Sequence, residues 1–179
     1  MAWIKHTLAL LVTGFAVLGC TGLPDNIAPV DNFKVTPYMG KWYEIARLDH
    51  PFERGLSNIS ATYTLQDDGN VEVLNQGWDE EDGEWQQALG KAKFAGSSDK
   101  GHLKVSFFGP FYSSYVVYYL EPDYSVALVS GYNHDYMWIL SRTPTLSQTQ
   151  LDKYVAIAKK AGFDTDALIY PQQQTRKQP

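Results

Sequence analysis

Cysteine is almost absent from the chain: Cys20 is the only one among 179 residues. That excludes an intramolecular disulfide and any cysteine-based metal cluster. Positive charge is also scarce, with 15 Lys and Arg against 20 Asp and Glu. The net charge of −5 becomes −6 when residues 1–19, which hold Lys5 and no acid, are set aside. Such a balance excludes nucleic acid as a partner. His50, His102 and His134 are scattered, with no metal-spaced pair among them. No Gly-x-Ser-x-Gly elbow and no phosphate-cradling glycine loop occurs, and the acidic run Asp79 to Glu84 misses the calcium-loop spacing. The sequence therefore offers no catalytic residues, no metal site and no cofactor, and reads as a non-enzyme.

Long apolar runs are missing too. The stretch from Leu8 to Leu18 follows Lys5 and is apolar for about a dozen residues, too short to span a bilayer comfortably. Residues 1–19 read as a signal peptide. The run ends in Val17-Leu18-Gly19-Cys20, which resembles the lipobox of bacterial lipoproteins. The resemblance implies that Cys20 carries the lipid, as N-palmitoyl and S-diacylglycerol. Thr21, not Asp, follows it, which by the same resemblance implies the outer membrane, most simply its periplasmic face. Several acyl chains on one residue anchor stably, at ~0.8 kcal/mol per buried methylene. Pro24 and Pro29 punctuate residues 20–36, which read as the acylated cysteine and a semi-extended tether. A domain over 37–174 and a polar tail over 175–179 complete the division.

Aromatics, in contrast, are abundant at 14%, and they sit in strand-like patterns. In Gly40-Lys41-Trp42-Tyr43-Glu44-Ile45-Ala46-Arg47, Trp42, Glu44 and Ala46 fall on one face of a first strand. Asp49 to Gly55 breaks it with a charged loop. Strands then follow from Asn58 to Gln66, Val71 to Trp78, Glu84 to Ala95, His102 to Phe108, Ser114 to Glu121, Tyr124 to Tyr132 and Tyr136 to Arg142. Eight strands with hairpin-length connections predict an all-β, antiparallel up-and-down barrel or a sandwich. Tyr115, Val117 and Tyr119 alternate with Val116, Tyr118 and Leu120, so that strand needs apolar packing on both sides. Ser147 and Gln150 form a capping box before a helix from Leu151 to Lys160, whose apolar stripe suits the outside of the barrel. Ala167 to Tyr170 reads as a short ninth strand.

Gly40-x-Trp42-Tyr43, an eight-stranded meander, a late Arg142 and a following helix together resemble the lipocalin family. Gly40 to Leu56, Lys104 to Tyr112 and Trp138 to Pro144 resemble its bacterial outer-membrane members, and the likeness runs from about Asn32 to Gln174. It implies a barrel closed at one end by Gly40, Trp42 and Arg142, the guanidinium lying over the indole. The turn motif departs mildly, with Pro122-Asp123-Tyr124 where Thr-Asp-Tyr is common in the family. It further implies fatty acids and phospholipids as ligands, lysophospholipids the favoured class, in lipid storage or transport and membrane maintenance under stress.

An eight-stranded barrel has room for one small ligand. The candidate cavity residues are Ile59, Ala61, Tyr63 and Leu65 on one strand, with Phe107, Tyr115, Val117 and Trp138. Phe111 and Tyr112 offer a homodimer contact, as the resemblance suggests. Two alternatives stay open: a different hydrophobic ligand such as haem, and a mainly dimeric interaction module. Were the protein an enzyme, His102 and Tyr115 would be the candidates for a reactive group within the cup.

Overall fold

The computed structural model describes residues 20–174, so the signal peptide expected over 1–19 and the tail expected over 175–179 lie outside the described residues. A one-turn helix, α1 (Val35–Tyr38), precedes the strands β1 (Gly40–Arg47), β2 (Leu56–Leu65), β3 (Val71–Asp79) and β4 (Glu84–Phe94). The remaining strands are β5 (His102–Ser106), β6 (Ser113–Leu120), β7 (Val126–Ser130) and β8 (Met137–Ser141), followed by α2 (Gln148–Lys160). All neighbouring strands are antiparallel and the sheet closes on itself in the order β1 to β8. Closure comes from β1 against β8, with Tyr43 opposite Ser141 and Arg47 opposite Trp138. No helix among the described residues is long and apolar enough to cross a membrane.

Because sequential strands alternate in direction, the β1–β2, β3–β4, β5–β6 and β7–β8 connections gather at one end, the mouth. The other connections and α1 gather at the opposite end, the floor. Two apolar clusters follow from the pleat. The inner one joins Trp42, Tyr63, Val71, Val117, Val129 and Leu140; the outer one joins Ile45, Val116, Leu128 and Ile139 to Tyr154, Ala158 and Phe163 at α2. This is why β6 is apolar on both faces. Tyr118 stacks outward on Phe163 at 5.4 Å, while Tyr115 and Val117 face inward.

The helix begins one turn earlier than the stripe alone predicts, because Ser147 is its N-cap and the reciprocal Ser147–Gln150 box is formed. It ends where Gly162 adopts φ +95°. The expected ninth strand is a single bridge. A 3-10 turn spans Thr165–Ala167, after which only Ile169 pairs, with Arg47. Beyond it, one backbone bond remains, Asn58 N donating to Gln172 O at 2.8 Å, and side chains supply the rest. β1 pairs β2 only from Gly40 to Tyr43, so the two strands part toward the mouth. Gln173 fills the gap, its Nε2 donating to Glu44 O and Ile59 O at 2.8 and 2.9 Å.

Residues 20–36 differ from the tether expected of them. The backbone of Cys20 bridges Ser113 at the mouth end of β6. Val30 then exchanges hydrogen bonds with Val117 and Gly101, and Phe33 N donates to Asp99 O near the floor. Ile27 and Phe33 are buried. Pro24 and Pro29 keep the segment extended, and its apolar residues bind it to the barrel wall. Cys20 is thereby held at the mouth.

Candidate functional site

The floor is built from β1 and α1. Gly40 takes φ +91°, a conformation that turns the chain from α1 into β1 and that other residues rarely adopt. Trp42 is fully buried and its Nε1 donates to Tyr38 O at 2.8 Å. The Arg142 guanidinium lies 3.9 Å from the Trp42 ring centre. Its N–H groups donate to the carbonyls of Lys41 (2.8 Å), Pro37 (2.8 Å), Met39 (2.9 Å) and Tyr124 (3.3 Å). One side chain thus ties the β8 end to α1, β1 and the β6–β7 turn, a geometry for which the planar, five-donor guanidinium is suited.

Above the floor is a cup of about 820 Å³, its open mouth included. The walls are apolar: Ile59 and Ala61 of β2, Val71 and Val73 of β3, Leu103 of β5 and Leu140 of β8. Deep in the cup, three tyrosines meet. Tyr38 and Tyr115 hydroxyls are 2.7 Å apart, and Tyr63 and Tyr115 hydroxyls 2.9 Å apart. Burial pushes all three phenols above their ordinary pKa.

Charged groups gather at the mouth. Glu44 Oε1 is 3.2 Å from Arg47 Nε, and Glu53 Oε2 lies 3.4 Å from Arg47 Nε and 3.0 Å from His50 Nε2. Trp138 Nε1 donates to the same Glu53 oxygen at 3.3 Å, and Arg47 Nη2 donates to Glu53 O at 2.8 Å. Glu44, Arg47 and His50 are each buried. Burial raises the Glu44 pKa well above its ordinary value, helped by the nearby Glu53 charge and opposed by Arg47. For Glu53, burial is the largest influence and acts upward, but the hydrogen bond and charge of His50, with hydrogen bonds from Glu44 and Trp138, together outweigh it and hold the carboxyl below its ordinary value.

Unfolded Glu44 titrates near 4.5, and folded Glu44 titrates higher. Between those values only the folded state keeps the proton, so this group's contribution to stability falls as pH rises. Arg47, His50 and Glu53 face it and are unchanged in Glu44→Gln. That variant should gain thermal stability over the parent as pH climbs from about 4.5 to neutrality, and none below. Melting curves across that range check this; a parallel pH profile for both proteins would contradict it.

Of the eight expected cavity residues, Ile59, Ala61, Tyr63, Phe107, Tyr115 and Trp138 line the cup. Leu65 does not. It lies at the floor end of β2, past the cup, and is 41% exposed. Val117 is fully buried in the inner cluster at the floor, below the lined space. His102 also stands elsewhere than expected. It precedes inward-facing Leu103, so it points outside, where its Nε2 is 3.1 Å from Ser114 Oγ. The charged β1–β2 loop divides in two: Asp49 and Arg54 pair in solvent, whereas His50 and Glu53 turn inward. Glu44 shares the face of Trp42 in the period-two pattern, a signal sufficient to put it inside. Tyr38 gave no such signal, because α1 precedes the strands and has no alternation to follow.

Three exposed aromatics stand on mouth loops: Phe52 on β1–β2, and Phe108 and Phe111 on β5–β6. Cys20 is exposed beside the latter, at the start of β6.

Residues 33–173 match the family model described as a lipocalin-like domain. The chain is 54% identical over 170 residues to the outer membrane lipoprotein Blc of Vibrio cholerae, covering 94% of this chain and 99% of that one. It is 47% identical over 168 residues to the outer membrane lipoprotein Blc of Escherichia coli K12, covering 93% and 95%. In structure it resembles insecticyanin from the tobacco hornworm Manduca sexta, with a TM-score of 0.69 at 20% identity over 86% of this chain and 88% of that one, a likeness of fold. A closed eight-stranded cup with a Trp–Arg floor, a helix laid outside it and a family match over nearly all the described residues lead to one conclusion: the chain belongs to the lipocalin family.

Proposed function

We propose that the protein holds one single-chain lipid, a fatty acid or a lysophospholipid, in its cup, and does so at the outer membrane, anchored through acylated Cys20. The observation that carries this reading is a blind apolar cup whose mouth lies beside that cysteine. The high identity to proteins named outer membrane lipoproteins supports the location. An eight-stranded barrel is narrow, which favours one tail over two. Burying a sixteen-carbon chain from water contributes up to ~12 kcal/mol, at ~0.8 per methylene. A bilayer offers the same apolar refuge, so the net gain on leaving it is small. The cup therefore suits lipids that are poorly held by the membrane, and storage, transport or clearance of such lipids under stress follows.

A mouth held against the bilayer shortens the path the lipid crosses through water. Phe52, Phe108 and Phe111 ring that mouth and suit the interfacial region of a membrane. Phe111 also belongs to the surface that the sequence suggests for a homodimer; its neighbour Cys20 favours the membrane-facing assignment.

The test is a fluorescence titration of the delipidated full chain carrying Cys20→Ser. Trp138 lines the cup and reports on its contents. A saturable emission change with one lysophospholipid per chain is expected. A response that rises without saturation would remove the carrier reading, and saturable binding of haem in its place would reassign the ligand.

A further inference from the structure

The deep end of the cup is not hydrocarbon-like. Tyr38 arrives from α1, Tyr63 from β2 and Tyr115 from β6, and among the described residues their hydroxyls bond only one another. Three hydroxyls carry three protons, and two O···O contacts use two of them. However the protons are arranged, one O–H is left without an acceptor in the trio. All three residues line the cavity. A buried hydroxyl with no acceptor is costly.

We propose that the tyrosine trio is a seat for an oxygen atom at the far end of the bound chain, so that the cup takes acyl chains carrying a neutral oxygen function, a hydroxyl or a keto group, at their distal end. This rests on the carrier reading above and adds to it a second polar contact, opposite the head group. A terminal methyl leaves the spare O–H unpaired. A ligand oxygen accepts it, and a ligand hydroxyl can in turn donate to one of the phenolic oxygens. A carboxylate is excluded from the seat because a single available donor does not replace the hydration of a full charge. Burial keeps the phenols protonated.

The contrast with an all-apolar floor is measurable. In such a floor a distal hydroxyl loses its water without compensation, and a site lacking the partner discriminates against it strongly. The experiment titrates ω-hydroxy fatty acids of increasing length, and their unsubstituted counterparts, into the full chain carrying Cys20→Ser. The same series is titrated into that chain with Tyr38→Phe, Tyr63→Phe and Tyr115→Phe combined. Phenylalanine keeps the ring shape, and removing all three hydroxyls leaves no orphan among them. At the best-fitting length, the ratio of the two dissociation constants should change by about three- to tenfold between parent and variant, against the hydroxylated acid. Binding of the unsubstituted acid should stay level or tighten. Where the triple variant does not fold, the length series in the parent serves: the hydroxylated acid should be favoured at the length that reaches the trio and disfavoured at shorter lengths, and a ratio that does not change with length overturns the seat. Both acids binding with the same ratio in parent and variant overturns the seat alone. Neither acid binding the parent overturns the carrier reading, and the seat with it.

Discussion

Replacing Arg142 with methionine is expected to remove about 3 kcal/mol of stability and to lower the thermal midpoint by roughly 10 °C. The side chain is only half-buried, so the figure is set by what its loss leaves behind. Four carbonyls, those of Pro37, Met39, Lys41 and Tyr124, lose a charged donor at once. The contact with the Trp42 ring disappears as well, worth about 0.5–2 kcal/mol according to how far it is desolvated. Methionine replaces the packing of the stem but none of the donors. Lysine is the informative control: it restores a charge but not a planar fork, and should recover less than half the loss. Calorimetry on the three proteins decides. A midpoint within about 3 °C of the parent for Arg142→Met would mean that the floor is held by Trp42 and Tyr38 packing alone.

Ala61→Trp should weaken lipid binding by at least about a hundredfold, a loss of roughly 3 kcal/mol. Ala61 lies opposite Trp42 in the β1–β2 register and points into the cup. An indole there occupies the space an acyl chain needs. Because that space is empty in the unliganded barrel, the substitution need not overpack the surrounding wall, and stability should change by less than about 1.5 kcal/mol. The same Trp138 titration used for the parent, with a melting curve beside it, separates a blocked cup from an unfolded one. Undiminished affinity in a folded variant would place the lipid outside the barrel, with the aromatic rim at Phe108 and Phe111 the first place to look.

What could be read from the residues alone depended on whether the signal was local. The eight strands were legible because alternation and hairpin turns are short-range, and each strand start and end falls within about three residues of its expected place. Trp42 and Arg142 were legible because a glycine, a tryptophan and a late arginine are rare enough to be recognised at their spacing. Ile27 and Phe33 were not, since proline-spaced sequence looks the same whether it floats or lies on a wall. The ninth strand reduced to the Arg47–Ile169 bridge and one further backbone bond, from Asn58 N to Gln172 O, while the Gln173 side chain meets the carbonyls of Glu44 and Ile59. Leu65 followed the inward pattern of Ile59, Ala61 and Tyr63, yet that strand outruns the cup. Alternation tells which face a residue is on and nothing about depth. The tyrosine trio drew residues from three elements far apart in sequence, a meeting that only closure of the barrel brings about.

The central claim is that the cup holds one single-chain lipid. Native mass spectrometry of the full chain carrying Cys20→Ser, purified without detergent and then extracted for lipid, tests it most directly. A mass increment of one fatty acid or lysophospholipid per chain is expected, abolished in Ala61→Trp. A chain that emerges with no bound species, and that takes up none when offered lysophospholipid, would contradict it.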